Sequence, residues 1–346
     1  MTTYMWQEIK EQPKVIEKCL ALNQKAIDAI ASYIRKKDIN NVIIAARGTS
    51  DHAGIYGKYI IEIKKGIPVV LAAPSVFTIY GKDIKMDNSL VIAISQSGRA
   101  ADALEVVRSA RKQGAPTIAI TNFEDSPLAL ESEFHLFCGV GEEKSVAATK
   151  TFMSQIYLLA RFVAAWCQDE VFKNELDKLP ALLTKTLALS EQIKNLVIRY
   201  RFMDECFVLA RGTNYAIALE ASLKIQETCY VRAKGYAISD FHHGPFAMIG
   251  ENMPVIVYAP VGESLKDCKE MLLKLRDARA DILVVSNNSE ILEMGNCSIK
   301  IPDNVNDFIT PFINAMVAQI FACNLSVLKG LNPDKPRGLS KVTFTR

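Results

Sequence analysis

Short, uninterrupted apolar runs alternate along this chain with longer amphipathic stretches. Val42–Ala46, Val69–Ala72, Leu90–Ile94 and Thr117–Thr121 punctuate the first half, and Cys206–Ala210, Val255–Ala259 and Ile282–Ser286 the second. Runs this short with no polar alternation predict strands buried on both faces, which means parallel sheets covered by helices. The segments His52–Lys64 and Ala100–Lys112 follow two of these strands and predict helices. A further helical stretch from about Glu170 to Arg199, containing Leu179-Pro180-Ala181-Leu182-Leu183, reads as the connection between halves.

The halves are copies of one another. Ala46-Arg47-Gly48-Thr49 recurs as Ala210-Arg211-Gly212-Thr213 at an offset of 164, and at that offset Val91–Ile94 falls on Val255–Tyr258 and Gly98 on Gly262. The copies have diverged where chemistry would sit. Ser95-Gln96-Ser97-Gly98 in the first half becomes Ala259-Pro260-Val261-Gly262 in the second. The second half instead carries Glu220, Lys224 and Glu227, which share one face of a helix at i, i+4, i+7. It also carries Asp240-Phe241-His242-His243-Gly244-Pro245.

Two turns of the first half, Gly48-Thr49-Ser50 and Ser95-Gln96-Ser97-Gly98, lie between a strand and a helix. Ligands of parallel sheets bind beyond the carboxyl ends of the strands, and a helix N-terminus attracts anions. Thr49, Ser50, Ser95, Gln96 and Ser97 add neutral donors, a combination suited to a phosphate on a small ligand. Ser and Thr are also ordinary helix N-caps, Glu220/Lys224/Glu227 could be a solvated ion-pair ladder, and His243 could be structural. The division expected is phosphate binding in the first half and proton chemistry in the second.

Composition narrows the class without naming the ligand. The chain has 346 residues, 49% hydrophobic and 23% charged, with a net charge of +3 and interspersed signs. That excludes a nucleic-acid stripe or a membrane-surface helix as the organising feature. No uninterrupted apolar run approaches the roughly 18 residues of a membrane span, and the N-terminal Met1–Lys10 reads as amphipathic rather than secretory. Eight scattered cysteines form no metal or disulfide spacing, so a reduced, cytoplasmic protein is expected. Four histidines without a carboxylate cluster give no metal site, and no cofactor is expected.

The duplicated halves resemble tandem sugar isomerase (SIS) domains over nearly the whole chain. The resemblance is carried by Gly48-Thr49-Ser50, Ser95–Gly98, Ser145-Val146-Ala147-Ala148-Thr149-Lys150, Ala218–Glu227, His243-Gly244-Pro245 and Pro336-Arg337-Gly338-Leu339-Ser340-Lys341. It is nearest the isomerase half of glucosamine-6-phosphate synthase and stand-alone aminosugar-phosphate deaminases. It implies an α/β fold of two doubly wound, flavodoxin-like parallel-sheet domains. The expected boundaries are an N-terminal helical segment (1–32), a first domain (33–172), a helical connection (173–197), a second domain (198–337) and a closing tail (338–346).

The resemblance also implies roles. Thr49, Ser50, Ser95, Gln96 and Ser97 would hold the sugar phosphate, with Gly48, Val146 and Ser340 near the sugar. Glu227 would move a proton between C1 and C2, His243 would assist ring opening, Lys341 would approach the carbonyl, and Glu220 and Lys224 would orient the base. A homodimer with a site shared between subunits is implied, and neither nucleic acid nor membrane is an expected partner. Three departures bear on substrate choice: Arg47 before Gly48, Arg99-Ala100-Ala101 where an acid and a threonine are usual, and Lys234 and Asp240 before His243 where glutamates are usual. The chain starts Met1-Thr2-Thr3 rather than with a cysteine after the methionine, so no glutaminase is expected ahead of the first strand. The activity expected is deamination of glucosamine 6-phosphate to fructose 6-phosphate and ammonia. Cleavage of a fructosamine 6-phosphate, another isomerisation, or a non-catalytic sugar-phosphate sensor are the alternatives.

Overall fold

In the computed structural model, which describes residues 3–341, ten strands form two five-stranded parallel sheets. The first sheet comprises β1 (Asn41–Ala45), β2 (Val69–Leu71), β3 (Ser89–Ile94), β4 (Thr117–Thr121) and β5 (Phe134–Phe137), in the order β2-β1-β3-β4-β5. The second comprises β6 (Glu205–Ala210), β7 (Arg232–Ala237), β8 (Pro254–Tyr258), β9 (Asp281–Ser286) and β10 (Cys297–Lys300), in the order β10-β9-β8-β6-β7. Read from its other edge, the second order is the first repeated. Every strand expected from the sequence is present, and the duplication extends through the topology.

Burial explains which strands the sequence revealed. Every residue of β3 and β4 is buried, and all but Ser89, Thr117 and Thr121 at their ends are apolar. The three strands not foreseen, β5, β7 and β10, lie at sheet edges. There one flank faces water and polar residues such as His135, Lys234 and Lys300 are tolerated. Apolar cores pack against the sheets, around Val91, Ala93, Val106 and Val107 in the first and around Val255, Val257, Met271 and Leu272 in the second.

The chain divides into two compact units. One holds the first sheet and runs from Glu11 to Glu143, with Ala148–Pro180 and the tail from Leu339. The other holds the second sheet within Ala181–Gly338, with Lys144–Ala147 and the segment up to Lys10. The stretch expected to connect them folds as helices Glu170–Asp177, Leu179–Leu187 and Ser190–Leu196, followed by a 3-10 turn.

Helix Thr310–Leu328 is long and apolar enough for a bilayer, a feature hidden in the sequence because Asn314, Gln319 and Asn324 interrupt the run. It is a core helix: 83% of its most apolar window is buried inside the protein, and it packs on helix Tyr215–Cys229. Fully buried Asn314 donates to Asn214 Oδ1 at 2.7 Å, a polar link from this helix to the turn that leads into helix Tyr215–Cys229.

Candidate active site

Strands β1 and β3 are neighbours whose chains leave the sheet in opposite directions, toward β2 and toward β4. This is the switch point at which a doubly wound sheet opens a crevice. Both serine-bearing turns emerge from it. Gly48 has φ +56° and ψ −134°, a conformation that frees the chain to turn sharply into helix Thr49–Lys65. Ser50 is buried and accepts a hydrogen bond from Gln155 Nε2 at 3.1 Å.

In the second turn Ser95 Oγ accepts from Gly98 N at 3.2 Å and Ser97 Oγ accepts from Arg99 N at 3.3 Å. Each of these hydroxyls accepts a main-chain N–H and keeps its own proton to donate. Simple helix capping does not account for them. The N-cap positions of the two helices are Gly48 and Ala100, neither of which caps with its side chain. Gly98 is required by geometry: its φ is +63°, and a Cβ there would fall 2.1 Å from Ser126 Oγ. Gly98→Ala should therefore push the serine turn off Ser126 and lower stability by about 1–3 kcal/mol. Chemical denaturation of the variant checks this, and wild-type stability would refute it.

The Arg47 departure has a structural explanation. Arg47 Nε pairs with buried Asp102 at 3.0 Å, and the other Asp102 oxygen accepts Thr78 Oγ1 at 3.2 Å. Asp102 lies in the first turn of helix Ala101–Lys112, so the ion pair straps the two turns together. The second unit repeats the strap, with Arg211 Nε on Asp267 at 3.0 Å. Lys234, the other basic departure, is exposed and lies over the Tyr236 ring at 5.0 Å. Beside the first turn, burial raises the Asp51 carboxyl despite the nearby charges of His52 and Arg47.

Sequence reasoning missed Glu143. Its carboxylate is fully buried and accepts from the Thr149 and Thr151 main-chain N–H groups at 3.0 and 3.1 Å, from Thr151 Oγ1 at 2.7 Å, and from Lys341 Nζ at 2.7 Å. Burial pushes this carboxyl up, but the charge and hydrogen bond of Lys341 and the threonine donors outweigh it and hold it below the usual range. Glu143 thus caps helix Lys150–Cys167 and anchors the tail residue Lys341. Ser340, immediately before it, is exposed.

The second unit holds the other predicted set. Lys224 is fully buried on helix Tyr215–Cys229, 3.3 Å from Glu220 Oε1 and 2.6 Å from Glu227 Oε2. Burial alone would lower the Lys224 pKa, yet the two carboxylates raise it, so the ammonium is locked in its charged form. A solvated ladder would expose all three side chains. Here Glu220 and Lys224 are closed off, and Glu227 keeps 20% of its side chain open. The cluster is a buried charge system with one carboxylate reaching its surface.

His243 is exposed, and its main-chain N–H donates to the Asp240 carbonyl at 3.1 Å. It lines a cavity of about 290 Å³ with His242, Ser239, Ile238, Asp267 and Glu270, a lining that does not include Glu220, Lys224 or Glu227. Val146 belongs to this unit as well, its N–H bonded to the Asp334 carbonyl at 3.1 Å. Among the described residues, no group of three or more His, Cys, Asp or Glu side chains is disposed to hold a metal.

Comparison with known proteins bears on both units. A model of the SIS domain matches residues 34–165 and 203–329. A relative from Aquifex aeolicus (strain VF5), glutamine–fructose-6-phosphate aminotransferase [isomerizing], is 38% identical over 342 residues, covering 98% of this chain and 57% of the relative. The namesake from Pyrococcus horikoshii is 33% identical over 346 residues, with the same coverage. This chain therefore spans little more than half the length of those relatives. The solved C-terminal domain of glucosamine-fructose-6-phosphate aminotransferase from Francisella tularensis superposes with a TM-score of 0.87 at 27% identity, covering 97% of this chain and 99% of that one. Glucosamine-6-phosphate deaminase from Thermotoga maritima superposes at 0.79 and 21% identity, covering 99% of this chain and 100% of that one, a likeness of fold.

Proposed function

The chain belongs to the SIS domain family, and from that premise we propose that it converts an amino-sugar 6-phosphate from aldose to ketose form and releases the nitrogen as ammonia. The substrate of this reading is glucosamine 6-phosphate and the product fructose 6-phosphate. The observation that carries it is the Glu220–Lys224–Glu227 cluster. A fully buried lysine pinned between two carboxylates leaves Glu227 held in place and open at its outer edge, as a proton-transfer base requires. The names of the long relatives support the substrate class, since they pair fructose 6-phosphate with amino transfer.

In this mechanism Thr49, Ser50, Ser95, Gln96 and Ser97 hold the phosphate, with Gly48, Val146 and Ser340 beside the sugar. His243 assists ring opening to the free aldehyde. Glu227 takes the C2 proton while the C1 oxygen takes one from water, giving an enaminol. Glu227 then returns its proton to C1, which leaves an imine at C2. Water adds to that carbon and ammonia departs, so no electrons enter or leave. Lys341 supplies positive charge near the developing oxyanion, with Glu143 fixing its position.

Purified protein incubated with glucosamine 6-phosphate should release ammonia and fructose 6-phosphate in equal amounts. Release of an amino acid from fructosamine 6-phosphates, with no ammonia from glucosamine 6-phosphate, would replace deamination by deglycation on the same base. Binding of either phosphosugar without turnover would leave a sensor.

A further inference from the structure

The geometry points to Asp307 as a built-in anion that fills the second unit's counterpart of the serine-turn crevice, leaving that counterpart as a latent phosphate site. The inference goes beyond the proposed reaction, which uses only the first crevice. Strands β6 and β8 are neighbours as β1 and β3 are, and their turns, Arg211–Asn214 and Ala259–Glu263, stand at the repeat offset from the two turns of the first unit.

Asp307 is tied to both turns. Its carbonyl accepts a hydrogen bond from Thr310 Oγ1 at 2.8 Å, and Thr310 Oγ1 in turn accepts one from Asn214 Nδ2 of the first turn at 2.9 Å. The Glu263 main chain in the second turn bonds the Asp307 carboxylate on one side only, since Oδ1 is buried with no hydrogen-bond partner. It also lies so close to Gly262 that a Cβ there would meet Asp307 Cγ at 2.3 Å and the two oxygens at 2.5 and 2.7 Å. Only glycine lets the carboxylate seat on this turn.

Chemistry explains why a carboxylate is there. Ala259, Pro260 and Val261 offer no side-chain donors, and proline offers no N–H, yet the turn leads into helix Leu265–Asp277, where Leu265 N–H donates to the Gly262 carbonyl at 3.2 Å and the following amides lie at the positive end of the helix dipole. An anion is the natural partner for those groups. In the adjoining turn Thr213, the counterpart of Thr49, is 4% exposed, and its hydroxyl has no hydrogen-bond partner. Burial raises the Asp307 carboxyl in spite of the Glu263 main-chain bond, and the Glu263 side chain adds a like charge. The acid is therefore seated by close packing on Gly262, with its Oδ1 left without a donor.

The repeat offset of 164 places Asp307 opposite Glu143. Glu143 points its carboxylate at the start of helix Lys150–Cys167 and at Lys341. Helix Thr310–Leu328 begins one turn earlier in its own repeat. The same acidic position therefore serves a helix cap in one unit and a turn in the other.

Calorimetric titration with inorganic phosphate tests the inference. The wild-type chain should bind one phosphate, and Asp307→Ala should bind a second, more weakly. Ser97→Ala added to Asp307→Ala should weaken one event and spare the other. A natively folded Asp307→Ala with one binding event, or a wild type with two, would overturn the inference. If Asp307→Ala does not fold alone, Asp307→Ser carries the same titration. Refolding of either variant by excess phosphate that persists when Ser97→Ala is added supports the latent site, and failure of phosphate to rescue that double variant counts against it. Absence of any phosphate binding by the wild type would speak against the first-unit site of the proposed function, whereas an event found only in the Asp307 variants bears on this inference alone.

Discussion

Glu227→Gln is expected to keep phosphosugar binding and to lose turnover by about 10²–10⁴-fold, the range that a positioned acid–base group contributes. The amide preserves the size of the side chain and can still accept from Lys224, now 2.6 Å from Glu227 Oε2. It cannot take a proton from carbon. Lys224 keeps Glu220 as a charged partner at 3.3 Å, so the helix retains its buried pair and the protein should remain folded. The loss should fall in kcat with KM little changed, the pattern of an interaction used only in the transition state. Exchange of solvent deuterium into C1 of the product should vanish with it. Near-normal ammonia release by this variant would remove Glu227 as the base. A fall in affinity equal to the fall in rate would assign it to binding.

The parts of this molecule that were legible in the sequence are those that burial repeats. The central strands β1, β3, β4, β6, β8 and β9 are apolar on both faces, and each recurs at one offset, so strand class and duplication could be read together. Edge strands β5, β7 and β10 carry mixed residues because only part of each is enclosed, which erases the pattern. The Glu220–Lys224–Glu227 spacing was visible, but its burial was not. The same spacing fits a wet ladder, and the packing of helix Thr310–Leu328 and of strands β6 and β7 on helix Tyr215–Cys229 decides between them.

The long-range partners were the least legible. Asp102 is one acid in an ordinary helix start, and nothing local marks it as the partner of Arg47 across 55 positions. Glu143 sits in an irregular stretch beside Glu142, with its cation 198 positions away. A usable signal was the repeat itself: an acid at 143 and an acid at 307, at the offset that aligns the turns.

Glu143→Ala is expected to be the more damaging of the substitutions at the tail anchor, costing about 3–5 kcal/mol of stability, as removal of one partner from a buried ion pair does. The change leaves the Thr149 and Thr151 amides at the head of helix Lys150–Cys167 without their acceptor and frees Lys341 from its buried counter-charge. Lys341→Ala should cost less. Lys341 is a quarter exposed, so water already screens part of its charge, and the threonine donors still hold the carboxylate. The folded-state pKa of Glu143 is depressed from 4.5. A depressed carboxyl stabilises the fold fully above its unfolded value, and that contribution is lost as pH falls through the folded value. The stability gap between wild type and Glu143→Ala should therefore be constant near neutrality and shrink as the solution is acidified below 4.5. Urea unfolding of the three proteins across that range measures it. A gap that stays level into acid would mean that the amides and not the charge pair hold this corner of the fold, whereas a Lys341→Ala loss as large as that of Glu143→Ala would mean that the charge pair alone holds it.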